Sequence, residues 1–283
     1  MRTDLLVGHI LGICRLQNHP PHKPAIATKD RSCTTKHKVY DIQDILYVME
    51  SFRIAAAYLM IILLGSANAT TVSVFPGSSI QAAIYTAKAG DVVEVHRGVY
   101  YEHVNVNKRI TLKGIDMPTL DATASGSAIT LKTDGIILKG FRTINSGQWP
   151  GDGSKEAGIK VLSNNNIIEN NNASNNSNGI FIIGGNNNTI TGNTADNNLG
   201  YGIMLSDSAE NIILKNNFIR NYKQNVYDDG INRWDVDSVG NYYGNFNSLV
   251  EGCQDLGGND TCEFGYPVPG GWSIDHYPSL QPF

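Results

Sequence analysis

The segment GIFIIGGNNNTITGNTADNN, Gly179 to Asn198, combines alternating apolar residues with a dense set of asparagines. Its neighbours have the same layout: GIKVLSNNNIIENNNASNN begins at Gly158 and GIMLSDSAENIILKNNFIRN begins at Gly202. A fourth copy, NVYDDG, starts at Asn225, so successive copies are offset by 21, 23 and 23 residues. A fixed period of this length predicts a solenoid of stacked coils rather than a disordered low-complexity tract.

The apolar residues at the start of each copy alternate with a period of two, as a strand with one buried face requires. A single coil of about 22 residues cannot bury such a face by itself. Stacking one coil on the next aligns the apolar pairs into a parallel sheet with a continuous core, which predicts a parallel β-helix. The aligned pairs are Ile159 and Val161, Ile180 and Ile182, and Ile203 and Leu205.

The asparagines recur in the frame N-x-I-x-x-N-x-x-x-x-N, which places each one at the same point of successive coils. Asparagine tolerates left-handed backbone geometry, and its amide both donates and accepts hydrogen bonds, so it suits the bends between strands. Coils stacked about 4.8 Å apart bring equivalent amides within hydrogen-bonding distance. The frame therefore predicts three structural ladders, formed by Asn166, Asn188 and Asn211; by Asn171, Asn193 and Asn216; and by Asn176, Asn198 and Asn221.

The segment before the coils, SSIQAAIYTAKAGD, predicts a short amphipathic helix. Ile80, Ala83, Ile84 and Ala87 share one face at helical spacing. A helix at this point would cover the N-terminal end of the stack, where an open strand edge would otherwise invite pairing with another chain.

An apolar run, IAAAYLMIILL (residues 54–64), follows Arg53 and precedes the small-residue site Ala67-Asn68-Ala69. This pattern is typical of a secretory signal peptide, and the run is short for a membrane span. A signal anchor with a cytoplasmic tail is the alternative. We interpret residues 1–48 as an upstream mis-start or unstructured leader, 49–69 as a signal peptide, 70–246 as the β-helix and 247–283 as a C-terminal cover.

After residue 69 the chain carries 14 Lys and Arg against 21 Asp and Glu, a net charge near −7. This acidic balance argues against nucleic acid as a partner. The absence of a second apolar run in the sequence argues against a membrane anchor after signal cleavage. We expect a secreted, cell-surface or periplasmic protein, in which Cys253 and Cys262 pair as a disulfide. A pair of thiols that binds a metal is the alternative.

The segments SIQAAI, AGDVVEVHRGVYYEHVNVNKRITLKG, DGIILKGFRTIN, the Asn-rich coils, NRWD, GNYYG, YPVPGG and DHYP follow one order. Over nearly all of residues 72–280 this order resembles the right-handed β-helix family named for the periplasmic copper-binding accessory protein of nitrous oxide reductase. Similar repeats occur in carbohydrate-binding and sugar-hydrolase domains and in archaeal surface proteins. The resemblance implies an all-β fold: a single-stranded right-handed parallel β-helix of about seven coils, with an N-terminal capping helix and an irregular C-terminal cover. The scaffold carries many activities, so the resemblance implies little about function.

Calcium and copper are the candidate cofactors. Relatives often carry a stretch of the DxDGDGxGD kind before the final YP, where this chain has LVEGCQDLGGNDTCEFGYP. Asp255, Asn259 and Asp260 could still hold Ca²⁺ through oxygen atoms. Copper prefers His, Met or Cys ligands, and His96 and His103 are close enough in sequence to lie on adjacent coils. Two surface histidines are the plainer interpretation, so copper is the weaker candidate.

The densest polar cluster of the sequence contains Asp228, Asp229, Arg233, Asp235 and Asp237, and Asp207 lies one coil before it. From this set, Asp207, Asp228, Asp229 and Arg233 are the catalytic candidates for a polysaccharide lyase, epimerase or hydrolase. Asp228 falls at an inward position of the repeat, where a carboxylate needs a partner, and Arg233 is the expected one. The sequence shows no recognised catalytic motif of a lyase or hydrolase. Closure of the C-terminal end is the structural interpretation of the same segment, DDGINRWD.

Lys160, Phe181, Met204 and Tyr227 occupy the outward position between the inward pairs, which predicts an exposed ladder on one sheet. Trp149, in the insertion SGQWPGDGSKEAG, is expected to overhang that sheet. Aromatic surfaces beside a loop suit sugar rings, whereas the alternative is a loop that simply covers Phe181 and Met204. We therefore expect an exported, non-catalytic protein that binds polysaccharides, cell-envelope glycans or other envelope components. A polysaccharide-active enzyme and a metal accessory protein are the alternatives.

Overall fold

The structure is a computed structural model that describes residues 69–147 and 155–283. The interpretations of residues 1–48 and of the signal peptide, together with the placement of Trp149, lie outside these ranges. In the described part of the chain, no helix is long and apolar enough to cross a membrane.

The described chain winds as a parallel β-helix of about seven coils, and each full coil gives one strand to each of three parallel sheets. We call these sheets A, B and C, in the order in which a coil visits them. The predicted all-β solenoid is thereby confirmed. The elements in chain order are β1 (Thr71–Val74), α1 (Ile80–Thr86), β2 (Val92–Val95), β3 (Val99–Tyr100), β4 (Val104–Val106), β5 (Thr111–Gly114), β6 (Thr119–Asp121), β7 (Ile129–Leu131), β8 (Ile137–Lys139), β9 (Arg142–Ile144), β10 (Ala157–Val161), β11 (Ile167–Glu169), β12 (Asn172–Ala173), β13 (Asn178–Ile183), β14 (Thr189–Thr191), β15 (Thr194–Asp196), β16 (Tyr201–Ser206), β17 (Ala209–Leu214), β18 (Asn217–Ile219), β19 (Gln224–Asp228), β20 (Ile231–Arg233), β21 (Tyr242–Tyr243), β22 (Tyr266–Pro267) and β23 (Ile274–Asp275).

The apolar core runs up the middle of the coils. In sheet C, Ile159 pairs with Ile180, and Ile180 pairs with Ile203, so side chains of similar shape stack in register. All three are fully buried. Sheet A begins with β1, ends with β20 and stacks branched side chains in the same way. Because each coil buries its inner face only against its neighbours, the stack gains its stability cooperatively from the contacts between coils.

Helix α1 closes the N-terminal end of the described stack. The Ser79 hydroxyl caps it by accepting a hydrogen bond from the amide of Ala82 at 3.1 Å. The Glu102 carboxylate, from a neighbouring coil, accepts further bonds from the amides of Ile80 and Gln81. A carboxylate at a helix N-terminus also complements the helix dipole. The predicted apolar face is buried at Ile80 and Ile84, which fixes the helix over the core.

The predicted asparagine positions form three continuous hydrogen-bonded ladders at the bends. In the middle one, the backbone amide and Nδ2 of Asn171 both donate to Oδ1 of Asn193, at 3.0 Å each. Asn193 repeats this with Asn216, and its Nδ2 also reaches the carbonyl oxygens of Ile168 and Thr191. Every polar atom of this buried amide is therefore engaged, which removes the penalty for burying it.

Each ladder runs in one direction, so its first rung needs a hydrogen-bond donor and its last rung needs an acceptor. Backbone amides of non-asparagine residues donate to the first rungs, as Phe141 does to Asn171. At the other end of the middle ladder, Asn241 donates from its backbone amide and Nδ2 to the Asp275 carboxylate, at 2.7 and 3.1 Å. A carboxylate only accepts hydrogen bonds, so it can end the ladder without a further partner.

The C-terminal cover is anchored around Asp275. This residue is fully buried and also accepts hydrogen bonds from the Tyr243 hydroxyl and the Tyr277 amide. Burial raises the pKa of the Asp275 carboxyl to about 6, while the hydrogen bonds from Asn241, Tyr243 and Tyr277 lower it. Tyr243 stacks on Tyr266 with ring centroids 3.8 Å apart, which joins the last coil to the antiparallel pair β22–β23.

The expected disulfide between Cys253 and Cys262 is confirmed. Their Cα atoms lie 4.9 Å apart, within the usual range for a disulfide, and both residues are buried. The bond closes a short loop of the cover.

Asn193→Ala should lower the free energy of unfolding by at least about 3 kcal/mol, because it leaves buried donors of Asn171 and buried carbonyls without partners. Asn193→Asp should be equally harmful, since a carboxylate cannot donate to Ile168 and Thr191. Asn107→Ala, at an exposed turn, is the control and should stay within about 0.5 kcal/mol of the wild type. Chemical denaturation measures all three, and a tolerant Asn193 would contradict the structural role of the ladder.

Asp275 predicts a pH dependence of stability. Its pKa is raised from 3.8 to about 6 in the folded chain, so the folded state binds more protons than the unfolded state between these values. The free energy of unfolding should therefore gain up to about 3 kcal/mol from this group as the pH falls through this window, and lose it as the pH rises through 6. Denaturation of wild type and Asp275→Asn at about pH 4.5 and 7 tests this. The free energy of unfolding of the wild type should rise relative to that of the variant at the lower pH. The same difference in free energy between the two proteins at both pH values would contradict the raised pKa.

Candidate functional site

The outward ladder expected on sheet C is present in register but is less exposed than expected. Lys160 pairs with Phe181, Phe181 with Met204, and Met204 with Tyr227. Phe181, however, is only 4% exposed, and the other three side chains are partly buried. The expectation of a fully exposed aromatic platform is therefore wrong at Phe181. Tyr227 is partly covered because Gly270, in the C-terminal segment, lies against its ring.

A cavity of about 200 Å³ opens on this face around Phe181 and Met204. Tyr201 forms an aromatic wall, and its ring lies 5.5 Å from that of Tyr227. The Lys223 ammonium lies 4.8 Å from the centre of the Tyr201 ring, within the range of a cation–π contact. The cavity thus has an apolar floor and a wall in which an aromatic ring and a positive charge lie together.

The polar rim of this cavity has several kinds of hydrogen-bonding group. Asn178 accepts a hydrogen bond from the Tyr201 amide at 3.0 Å and donates to the carbonyl oxygen of Glu156 at 2.9 Å, so its amide is fixed in orientation. Asp207 and Lys155 add a carboxylate and an ammonium group. Hydroxyl-rich ligands such as sugars need this combination of an apolar surface and fixed polar groups.

Lys160 is not on the rim of this cavity. Its ammonium group pairs with Glu156 at 3.3 Å, and Glu156 also accepts a hydrogen bond from Ser127. The Lys160 side chain is 16% exposed. The structure therefore separates Lys160 from the other three members of the expected ladder and places it in a polar cluster of its own.

Two of the catalytic candidates form a corner beside the cavity. The Asp229 carboxylate accepts hydrogen bonds from the Ser206 hydroxyl at 3.0 Å and from the Asp207 amide at 2.9 Å. Asp207 has a left-handed backbone, with φ of 51°, at this corner. Asp229 therefore joins its own coil to the preceding coil at this bend. Of the two acids, only Asp207 lines the cavity.

Asp228 is a buried structural acid whose partners differ from the expected one. Its carboxylate accepts four hydrogen bonds, from the Gly230 amide, Nδ2 of Asn232, Nε1 of Trp234 and the Ser273 hydroxyl, at 2.7 to 2.9 Å. Arg233 is exposed and lies on the opposite face of β20, so the expected Asp228–Arg233 pair is wrong. These four neutral donors satisfy the Asp228 carboxylate. Two of them, the Trp234 indole and the Ser273 hydroxyl, belong to the segments that close the C-terminal end of the stack.

The residues expected to hold metals lie apart. His96 stacks on Phe75 at 4.2 Å, whereas His103 contacts the carbonyl oxygen of Ser127 and the hydroxyl of Ser125. Both histidines belong to the same coil, at the ends of different strands, and not to adjacent coils. Across residues 69–147 and 155–283, no group of three or more His, Cys, Asp and Glu side chains has the geometry to hold a metal ion. The described histidines therefore do not fit a copper site.

The calcium candidates serve their own loop. Both carboxylate oxygens of Asp255 accept backbone amides, from Gly258 and Asn259 on one side and from Asp260 on the other. Oδ1 of Asn259 accepts the amide of Thr261. These contacts form a turn in the cover in which the Asp255 carboxylate and the Asn259 amide oxygen are bound by backbone amides.

Sequence reasoning missed Tyr201, Asn178 and Lys223 as part of the cavity. Asn178 and Tyr201 each directly precede the Gly-Ile pair of their copy. The repeat alignment could therefore have predicted that these two residues stack on successive coils. Lys223 lies in the bend before β19, where the repeat pattern carries no signal. Their convergence depends on the register of β13, β16 and β19.

The family described as Periplasmic copper-binding protein (NosD) matches residues 67–248 of the chain. No curated protein and no solved structure matches the chain.

Asp228→Asn should lower the free energy of unfolding by about 2 kcal/mol, because its amide nitrogen would face donors in a buried site. Asp207→Asn, at the exposed corner, is the matched control and should change it by about 0.5 kcal/mol or less. Thermal and chemical denaturation of both variants separate a structural acid from a dispensable one. Equal stability of the two variants would contradict the closing role of Asp228.

Proposed function

This chain belongs to the periplasmic copper-binding protein (NosD) family, and from that premise we propose that it is an extracytoplasmic β-helix protein that binds glycans on the outer face of sheet C. The observation that carries the proposal is the cavity around Phe181 and Met204, with Tyr201 as its wall. Polysaccharides or cell-envelope glycans are the proposed partners.

The chemistry of this cavity favours a carbohydrate. A sugar ring presents one apolar face and a rim of hydroxyl groups, which match an aromatic wall and fixed polar side chains. Tyr201 supplies the aromatic surface, while Asn178 and Asp207 supply hydrogen-bonding groups on either side. Lys223 lies close to the Tyr201 ring and adds a donor at the open edge.

The size of the cavity suggests how much of a glycan it takes. Its volume of about 200 Å³ is below the roughly 300 Å³ at which cavities for drug-sized ligands begin. The cavity therefore accommodates about one ring, and the rest of a polymer lies along the sheet. Binding of a polymer would then depend on contacts repeated along the coils.

Binding is favoured over cleavage because the acids near the cavity have structural roles. Asp229 accepts hydrogen bonds from its neighbours at the corner, and Asp228 is buried in the closure. Among the described lining residues this leaves Asp207 as the one carboxylate, whereas hydrolases of this kind pair two. The family is described as copper-binding, but the described histidines do not form a copper site.

Affinity electrophoresis of the full chain, in gels cast with a series of polysaccharides, tests the proposal. The wild type should be retarded by at least one polymer, and Tyr201→Ala should weaken that binding about tenfold through loss of the stacking surface. Tyr101→Ala is the matched control, because Tyr101 is 69% exposed and lies at the other end of the stack. It should bind like the wild type.

Staining the same gels for polymer separates the alternatives. Cleared bands would contradict a purely binding role and make Asp207→Asn the next variant to assay. Retardation of Tyr201→Ala equal to that of the wild type would show that the cavity is not the binding site. No retardation by any polymer would contradict glycan binding altogether.

A further inference from the structure

A second cavity lies at the C-terminal end of the stack, between β20 and the hairpin that contains β22 and β23. Its volume is about 350 Å³, and its lining comes from residues 230–235 and 272–276. The two segments are fastened at two points. Asp228 accepts hydrogen bonds from Trp234 on one segment and Ser273 on the other. Asp235 accepts the His276 amide at 2.9 Å and contacts its Nδ1 at 2.8 Å.

The alternation of each segment directs particular side chains to this cavity. In β20, Ile231 and Arg233 are exposed while Asn232 between them faces the ladder. In the hairpin, Trp272 and Ile274 are exposed while Asp275 is buried. Period-two geometry therefore places the outward side chains of both segments on the walls of one groove.

The groove has an unusual apolar surface for a closing segment. Trp272 is 98% exposed and Ile231 is 83% exposed. An indole ring at a hairpin tip contributes little to the core when it is so exposed, although a Trp usually buries most of its surface in a folded protein. Exposed aromatic residues beside a cavity are typical of ligand-binding surfaces.

Arg233 gives the groove a positive charge. In the described part of the chain, no Asp or Glu lies within ion-pair distance of its guanidinium group, whereas Arg220 is paired with Asp196. The nearby Asp235 is engaged with His276 instead. A guanidinium binds a carboxylate through two parallel hydrogen bonds, and this geometry favours a planar acidic group in the ligand.

We propose that this groove is a second binding site and that it takes an acidic sugar residue, with the ring on Trp272 and the carboxylate on Arg233. The site does not rest on the proposed function of sheet C, because its residues lie in sheet A and in the C-terminal cover. Its volume lies within the range of cavities for small ligands, whereas a stable protein interface needs about 800 Å² from each partner.

Titration of the full chain with trigalacturonate, followed by calorimetry, tests this site. The methyl ester of the same trisaccharide is the uncharged control ligand. Arg233→Gln should weaken trigalacturonate binding about tenfold or more, through loss of a charge-assisted hydrogen bond, and should bring it close to that of the ester. Trp272→Ala should weaken the binding of both ligands.

Arg109→Gln is the matched control, because Arg109 is exposed at a bend near the other end of the stack. It should bind like the wild type. Arg233 and Trp272 are both exposed, so their variants should keep the wild-type far-UV spectrum and free energy of unfolding. Loss of binding in a variant that has also lost this stability would overturn the assignment to direct contact.

Other results would overturn the proposal in distinguishable ways. Equal affinity for trigalacturonate and its methyl ester would contradict the proposed contact between the carboxylate and Arg233. Absence of trigalacturonate binding would contradict an acidic sugar as the ligand. Binding abolished by Tyr201→Ala but not by Arg233→Gln would place the acidic sugar in the sheet C cavity. Self-association of the wild type that Trp272→Ala abolishes, seen by sedimentation without any ligand, would identify a second copy as the occupant.

Discussion

The structure depends on the requirement that a buried asparagine at each bend meets its equivalent on the next coil. In the middle ladder, Oδ1 of Asn193 and Oδ1 of Asn216 each receive both the backbone amide and the Nδ2 of the preceding rung. An amide that missed this partner would be buried without hydrogen bonds, which costs about 1–3 kcal/mol for each group. The bends therefore hold the coils at one spacing and one register. Apolar stacking alone tolerates small shifts, but two donors on one oxygen do not, so the ladders define the register that the core then fills.

A ladder with a direction also determines which residues close it. The first rungs receive backbone amides, because the earlier coils have other residues at the bends. Two of the three ladders end on a carboxylate that accepts without needing to donate, Asp275 in one and Asp228 in the other. The third continues from Asn221 through Asn225 to Asn245. Asp228, one of the catalytic candidates from the sequence, is therefore the end of a structural ladder. Burial raises the pKa of Asp275, so the same arrangement makes the closure sensitive to protonation.

The sequence was informative wherever one coil repeats another. The period placed the nine asparagines on one another, and the alternation identified the buried face, because both are local patterns multiplied by stacking. The same reasoning could not find Asn232 or Asn241, which continue two ladders at the last coil, where the spacing changes. It also misjudged Phe181 and the partner of Asp228. Exposure and pairing at these points depend on segments distant in sequence, such as the hairpin that carries Ser273, and no repeat pattern describes them.

The features that could recognise a ligand are residues that differ between the copies or that lie outside the repeats. Tyr201 differs from the residues at its column in the neighbouring copies, and Trp272 lies in the cover, outside the repeats altogether. Tyr201 lies against the Tyr227 ring and the Lys223 ammonium group, and such packing reduces the entropy that a side chain loses when a ligand binds. The two proposed sites are lined by different elements, the sheet C cavity mainly by β13 and β16 and the groove by β20 and the C-terminal hairpin. Binding of polymer at both would give the protein more than one attachment point, and avidity would then come from that multivalency.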